Sequence, residues 1–277
     1  MSATPAYFLF HGAETVDGAS VESFTATEHT ASPWGAEMQH GGPVAGLLTR
    51  ALEQHGAREE SRLSRVTVDL LGAVPLGELR VRATTLRPGR RIELLAAELE
   101  APVDGSWRAV ARAQAWRLAT QDTSAVVNDP FPHPVMPEHD VLGSEILPAV
   151  WQMAGFVPTL RWRAAEGLRL APGEPNTVWL NLTMPLVAGE ETSPLAAALT
   201  IADVANGIGA RLDPRSHTFL NTEMTVHLFR PPSGEWFGLE AETAVGPDGV
   251  GLSQALLHDV VGPIGRISQS LLVEARR

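Results

Sequence analysis

Apolar and polar residues alternate in eight short runs of this 277-residue chain. The runs are Arg65–Leu71, Glu78–Leu86, Arg91–Glu100, Trp107–Leu118, Asn221–Phe229, Trp236–Val245, Leu252–Asp259 and Gly265–Glu274. A period of two predicts half-buried strands. Turn residues punctuate them, as in Arg87-Pro88-Gly89, Val103-Asp104-Gly105 and Gly246-Pro247-Asp248-Gly249. Two more extended segments, Val21–Thr27 and Thr177–Met184, each precede a tract of another pattern. These tracts are GGPVAGLLTRALEQHGA from Gly41 and TSPLAAALTIADVANGI from Thr192. Both read as helices, the second over Pro194–Gly209. That helix is small or apolar nearly all round, so other elements should surround it. It nevertheless carries a carboxylate, Asp203, in its middle.

The two tracts are repeats of one another. Pro43, Ala45, Leu48, Thr49, Ala51 and Gly56 match Pro194, Ala196, Leu199, Thr200, Ala202 and Gly207. Proline near the start suits a first helical turn, and glycine near the end suits a stop. Downstream, RVTVDLL (Arg65–Leu71) resembles EMTVHLF (Glu223–Phe229). ARAQAWRL (Ala111–Leu118) resembles RISQSLLV (Arg266–Val273), which sets Gln114 opposite Gln269. Three matches in one order predict a duplicated unit, each copy one helix against an antiparallel sheet. The expected division is residues 1–120, a proline-rich linker over 121–145, and residues 146–277. Leu147–Leu170 is expected to supply opening strands and core to the second copy, with a substrate-pocket wall as the alternative reading. Across the repeat, Leu52 stands where Asp203 stands, so one chemical centre per chain is expected.

Composition narrows the chemistry. There is no cysteine, which excludes disulfides and thiolate sites. A net charge of −11 without a basic run disfavours nucleic acid and anionic membrane. No apolar run is long enough to span a bilayer, and no basic region precedes the apolar residues near the N-terminus. A cytoplasmic protein is therefore expected. All 21 basic residues are arginine, which excludes Schiff-base lysine chemistry. His40-Gly41-Gly42 is not followed by a Gly-x-Ser-x-Gly elbow, so no serine nucleophile is expected. The histidines lack metal-ligand spacing. Arg87, Arg90 and Arg91 form a small basic turn, expected to be a solvated loop, with contact to phosphates of a ligand as the alternative reading.

HGGPVAGLL (His40–Leu48), LTIADVANG (Leu199–Gly207), TVHLFRPPSGEW (Thr225–Trp236) and GRISQSLLVEAR (Gly265–Arg276), with the duplication, resemble the double-hotdog acyl-CoA thioesterases of the thioesterase II type. The resemblance covers essentially the whole chain. It implies an α+β double hotdog: two tandem hotdog repeats, each a central helix wrapped by an antiparallel sheet. It also implies a cofactor-free hydrolase that cleaves acyl-CoA to free acid and CoA, and assembly into a homo-oligomer, a dimer of double hotdogs.

In such enzymes a carboxylate, a small polar residue and a glutamine hold the attacking water. Asp203 and Gln269 match the first and last. The middle position, usually threonine or serine, falls on Asn221, with Thr222 beside it. Strand alternation forbids both from facing one site unless a bulge intervenes, and Thr222 would share a face with Met224 and Val226. Asn221 is therefore assigned. Burial among alanine, leucine and valine should strengthen Asp203 as a base, and N–H groups at the start of the first helix should polarise the carbonyl. His40, Gly41 and Gly42 are expected to bind substrate there. Two other functions remain open: non-catalytic acyl-thioester binding, and hydration of an enoyl thioester. The second needs an acid–base pair, for which only His217 and His227 are considered as partners of Asp203.

Overall fold

A computed structural model describes residues 5–16, 18–152, 155–165, 167–169 and 175–276. In chain order the first copy contains β1 (Phe8–Val16), β2 (Ala19–Ala26), β3 (Ala31–Ser32), β4 (Gly35–Gln39), α1 (Gly41–Gln54), β5 (Ser61–Leu70), β6 (Gly77–Arg87), β7 (Ile92–Val103) and β8 (Ser106–Ala119). After a largely irregular crossing segment come α2 (Gly143–Ile146), β9 (Leu160–Arg163), β10 (Asn176–Leu182), α3 (Pro194–Ala202), α4 (Ala205–Gly209), β11 (His217–Asn221), β12 (Glu223–Leu228), β13 (Phe237–Val245), β14 (Val250–Asp259) and β15 (Gly262–Ala275).

The long strands form one antiparallel sheet in the order β1-β2-β6-β7-β8-β5-β12-β15-β14-β13-β10-β9, with β11 also on β15. The order 2-6-7-8-5 of the first copy is repeated in reverse as 12-15-14-13-10. The copies join at β5 and β12, where Thr67 pairs with Thr225, its repeat equivalent. Their hydroxyls lie 3.1 Å apart. Equivalent residues facing each other place a local twofold axis through this pair. The β7–β8 and β14–β15 hairpins close each copy.

Both central helices lie on the sheet's inner face and pack on one another. Every residue of α1 from Gly42 to Leu52 is buried, as is every residue of α3 from Ala196 to Ala202. The strand alternation turns Val66, Val68, Leu95, Leu99, Ala113 and Ala115 inward, and Arg112 and Gln114 outward. Chain geometry thus buries one face and leaves the other open. The start of the described chain ties the copies together: the Tyr7 and Phe8 N–H groups donate to the carbonyls of Pro185 and Leu186.

One expectation is corrected and another holds in part. The helix expected over Pro194–Gly209 is two helices, with a turn at Asp203 and Val204 between them. Leu147–Leu170 supplies one opening strand, β9 on β10, and buried Trp151, Phe156, Leu160 and Trp162 to the core; ahead of β9 it is turns and two short 3-10 helices, and residues 153, 154, 166 and 170 lie outside the described set. Gly155 has φ +81° and sits so close to the Ala31 carbonyl that no Cβ could fit. That approach pins the turns ahead of β9 onto the first copy, while β9 itself extends the sheet beside β10.

Candidate active site

The break in the second helix places the acid. Asp203 ends α3 with φ −67° and ψ −20°, and the Val204 N–H turns back to the Ile201 carbonyl in a tight 3-10 closure. The carboxylate is thereby turned toward the start of α1, and Asp203 is only 3% exposed. Its Oδ1 accepts from Asn221 Nδ2 at 2.7 Å. Its Oδ2 lies 3.1 Å from His40 Nδ1. The Asp203 carbonyl accepts from Gln269 Nε2 at 3.2 Å. Gln269 is fully buried, and its Oε1 has no hydrogen-bond partner among the described residues.

Asn221 reaches the acid because β11 and β12 are offset by a bulge. Asn221 pairs with Leu271 and Thr225 with Ser268, so four steps on one strand meet three on β15. The extra residue is Thr222. It is exposed, its N–H donates to the Ser270 carbonyl, and it shares no face with buried Met224. Strand alternation selects Asn221 for a reason that does not hold; the bulge is what separates the two neighbours.

His40 is the N-cap of α1. Gly42 N–H donates to His40 Nδ1 at 3.0 Å, yet the same nitrogen faces Asp203. One ring nitrogen carries either a lone pair or a proton, so it serves one partner at a time. With Nδ1 bare it caps the helix. With Nδ1 protonated it donates to Asp203, frees the Gly42 N–H, and leaves Nε2 with a bare lone pair. The Phe156 ring, 4.9 Å from the imidazole, holds it in place.

Gly41 and Gly42 are used for packing. A Cβ on Gly41 would lie 2.7 Å from Asp203 Oδ2, and one on Gly42 would lie 2.5 Å from the Thr200 carbonyl. Without side chains, α1 lets the acid of the other copy come down onto its first turn. Beside His40 a cleft of about 30 Å3 is walled by Trp34, Trp151, Trp162 and Phe219. Trp34 and Trp151 both meet Phe219 edge-on. Leu147, Trp151, Val157 and Trp162 thus wall the cleft, and Trp151 Nε1 is buried with no hydrogen-bond partner among the described residues. His217 is occupied with Ser216, and His227 faces the outer side of the sheet. Arg87 of the basic turn donates to the Ile92 carbonyl, 2.5 Å away. Among the described residues, no cluster of three metal-ligating side chains forms, and no helix is long and apolar enough to cross a membrane.

The contact between His40 and Asp203 is what sequence reasoning missed. The only signal was a histidine just ahead of the first glycine pair, and a repeat alignment does not show that the start of one copy's helix meets the end of the other's.

The repeat itself also shifts in the structure. Val68 pairs with Ala113, and its equivalent Val226 pairs with Ile267. Two residues on, the equivalent of Gln269 is therefore Ala115. Gln114 corresponds to Ser268 and is exposed. The first copy thus lacks the glutamine as well as the acid.

Two fused hotdog units, each a central helix against one antiparallel sheet, define a double-hotdog protein. The chain belongs to the acyl-CoA thioesterase family: residues 30–118 match the acyl-CoA thioesterase N-terminal domain and residues 133–273 the C-terminal domain. Its fold is similar to that of a hot dog-fold protein of unknown function from Alicyclobacillus acidocaldarius, with TM-score 0.71 and 15% identity over 95% of this chain and 96% of that one. A protein provisionally described as thioesterase II from Thermobifida fusca gives TM-score 0.70 and 17% identity, over 95% of each chain. An acyl-CoA thioesterase II from Mycobacterium marinum gives TM-score 0.65 and 14% identity, over 96% of this chain and 95% of that one. No curated protein sequence matches the chain at a significant level.

Proposed function

We propose that the protein hydrolyses acyl-CoA to free acid and CoA through one water molecule, with Asp203 as the general base. Asn221 holds Oδ1 and so aims the carboxylate; Gln269 receives the water through Oε1. A thioester is already activated, so a positioned water, a base and carbonyl polarisation suffice. Asp203 takes a proton as the water oxygen bonds to the acyl carbon. The tetrahedral intermediate then expels the CoA sulfur, which takes up that proton. The developing oxyanion falls to the first N–H groups of α1, where the helix dipole adds to the attraction. His40 with a proton on Nδ1 releases the Gly42 N–H for this purpose.

The observation that carries this reading is a buried acid with Asn221 on one oxygen, beside a buried acceptor, Gln269 Oε1, that no described group satisfies. The test is thiol release from acyl-CoAs between acetyl and palmitoyl. Asp203→Asn is expected to lower kcat by about 10²–10⁴-fold, the usual worth of a general base. Unchanged turnover in that variant removes Asp203 from the role.

A second reading has its own support. His40 and Asp203 are the acid–base pair that hydration of an enoyl thioester needs, and they come from opposite copies. The two chemistries part at His40. Under hydrolysis, His40→Ala is expected to cost about tenfold in kcat, because it positions Asp203. Under hydration it abolishes the loss of enoyl absorbance, and thiol release is absent in wild type.

A further inference from the structure

The local twofold carries the contact between His40 and Asp203 onto a second one. Ser193 is the N-cap of α3, as His40 is of α1; its Oγ donates to Glu53 at 2.5 Å while accepting from the Ala196 N–H at 3.0 Å. Glu53 follows Leu52, the repeat equivalent of Asp203. An acid near the end of one central helix again meets the capping side chain of the other. The chemistry around it has changed. Where the first site has Gln269, this half has Ala115, and an arginine group has moved in.

A cavity of about 230 Å3 opens against this second contact, between the end of α1, the start of α3, the start of β5 and the Pro231-Pro232 turn. Its charged lining is three guanidinium groups, Arg58, Arg62 and Arg117, against one carboxyl, Glu53. Two of the arginines are engaged. Arg58 and Arg117 share Glu93, and Arg117 also donates to the carbonyls of Leu52 and Gly56 at the end of α1. Arg62 differs. It donates to the carbonyls of Leu228 and Phe229, but no described carboxylate lies within 4.0 Å of it. Burial alone acts on its ionisation, pulling the pKa down with no acid to offset it. Glu53 is drawn the other way, its pKa raised first by burial, with Ser193 and then Arg117 acting against that. A half-buried cation without a counter-charge is costly unless something anionic joins it.

We propose that this cavity is a second ligand site, the twofold counterpart of the active centre, which binds an oxyanion, phosphate or carboxylate, on Arg62. Guanidinium groups suit both, because their planar fork matches two oxygens. Leu63, Pro194 and Leu195 supply an apolar wall beside the fork, so a short chain attached to the anion is also accommodated. The site is distinct from the His40–Asp203 cleft and does not depend on which reaction occurs there.

The full chain is titrated calorimetrically, in a buffer without phosphate or carboxylate, with inorganic phosphate and separately with hexanoate. Saturable one-to-one binding is expected, and Arg62→Gln is expected to weaken it about tenfold, the worth of one charge-assisted contact. Arg58→Gln, at the cavity's exposed rim, should weaken it severalfold and guards against a folding defect in the first variant. Arg266→Gln, on the outer face of the sheet, should leave it unchanged. Binding of phosphate alone identifies a phosphorylated ligand; binding of hexanoate alone, or of both, identifies a carboxylic acid among its ligands. Binding of neither overturns the proposal, as does binding that both cavity variants leave intact.

Discussion

At the scale of single residues, the site depends on atoms that are missing as much as on those present. Gly41 is the clearest case, since its absent Cβ would sit 2.7 Å from an Asp203 oxygen. Gly41→Ala should push the carboxylate away from Asn221 and His40. Displacement by about 1 Å can cost on the order of 100-fold in rate, so turnover is expected to fall that far while circular dichroism stays native. The sequence made the acid, the asparagine and the glutamine legible as residue types. It did not reveal their partners. Asn221 was separable from Thr222 only by assuming strict alternation, and the bulge at Thr222 breaks it. Gln114 looked like a counterpart of Gln269, but one residue of register turns a strand side chain to the opposite face.

At the scale of elements, the second central helix shows how local pattern and packing divide the work. Its composition predicts burial, and α3 is buried. Nothing in that composition marks the interruption at Asp203, because no proline or glycine stands there; it is stabilised by Gln269 on the freed carbonyl, a contact 66 residues away. The pairing of α1 and α3 is set by small residues. Gly46 faces Thr200, whose hydroxyl would overlap a Cβ there. In an exposed helix, glycine to alanine stabilises by about 1 kcal/mol. Here overpacking, at about 1–3 kcal/mol, should win. Gly46→Ala is therefore expected to lower the denaturation midpoint, and an increase would refute this account of the helix contact.

For the whole molecule, duplication sets the frame and asymmetry sets the chemistry. The first copy has lost both acid and glutamine, with Leu52 and Ala115 in their places, and this supports one centre per chain. Acid stability should report on a different buried group. His258 is fully buried, and neither ring nitrogen has a hydrogen-bond partner among the described residues. Burial, helped by the nearby His133, lowers its pKa from 6.5 to about 4. In the unfolded chain it takes up a proton near pH 6.5, while in the folded chain it stays neutral until about pH 4. Between those values the unfolded state binds more protons, so stability falls as pH falls, by up to about 3 kcal/mol. Urea denaturation at pH 7 and pH 4.5 should show this loss, and His258→Leu should reduce it.

The sequence by itself determined the duplicated α+β plan, the strands and their inward faces, the helix that carries the acid and the family to which the chain belongs. These follow from periodicity and local chemistry, which act over a few residues and leave their trace in order along the chain. Tertiary structure alone decided that the acid sits at a helix break, that His40 from the other copy meets it, that Asn221 is turned in by a bulge, and that the turns after the linker wall the cleft. Each of these depends on groups from 18 to 163 residues apart being brought into contact. Contacts of that range are fixed by sheet register and by how closely two helices can approach, and neither is written in any single stretch of sequence.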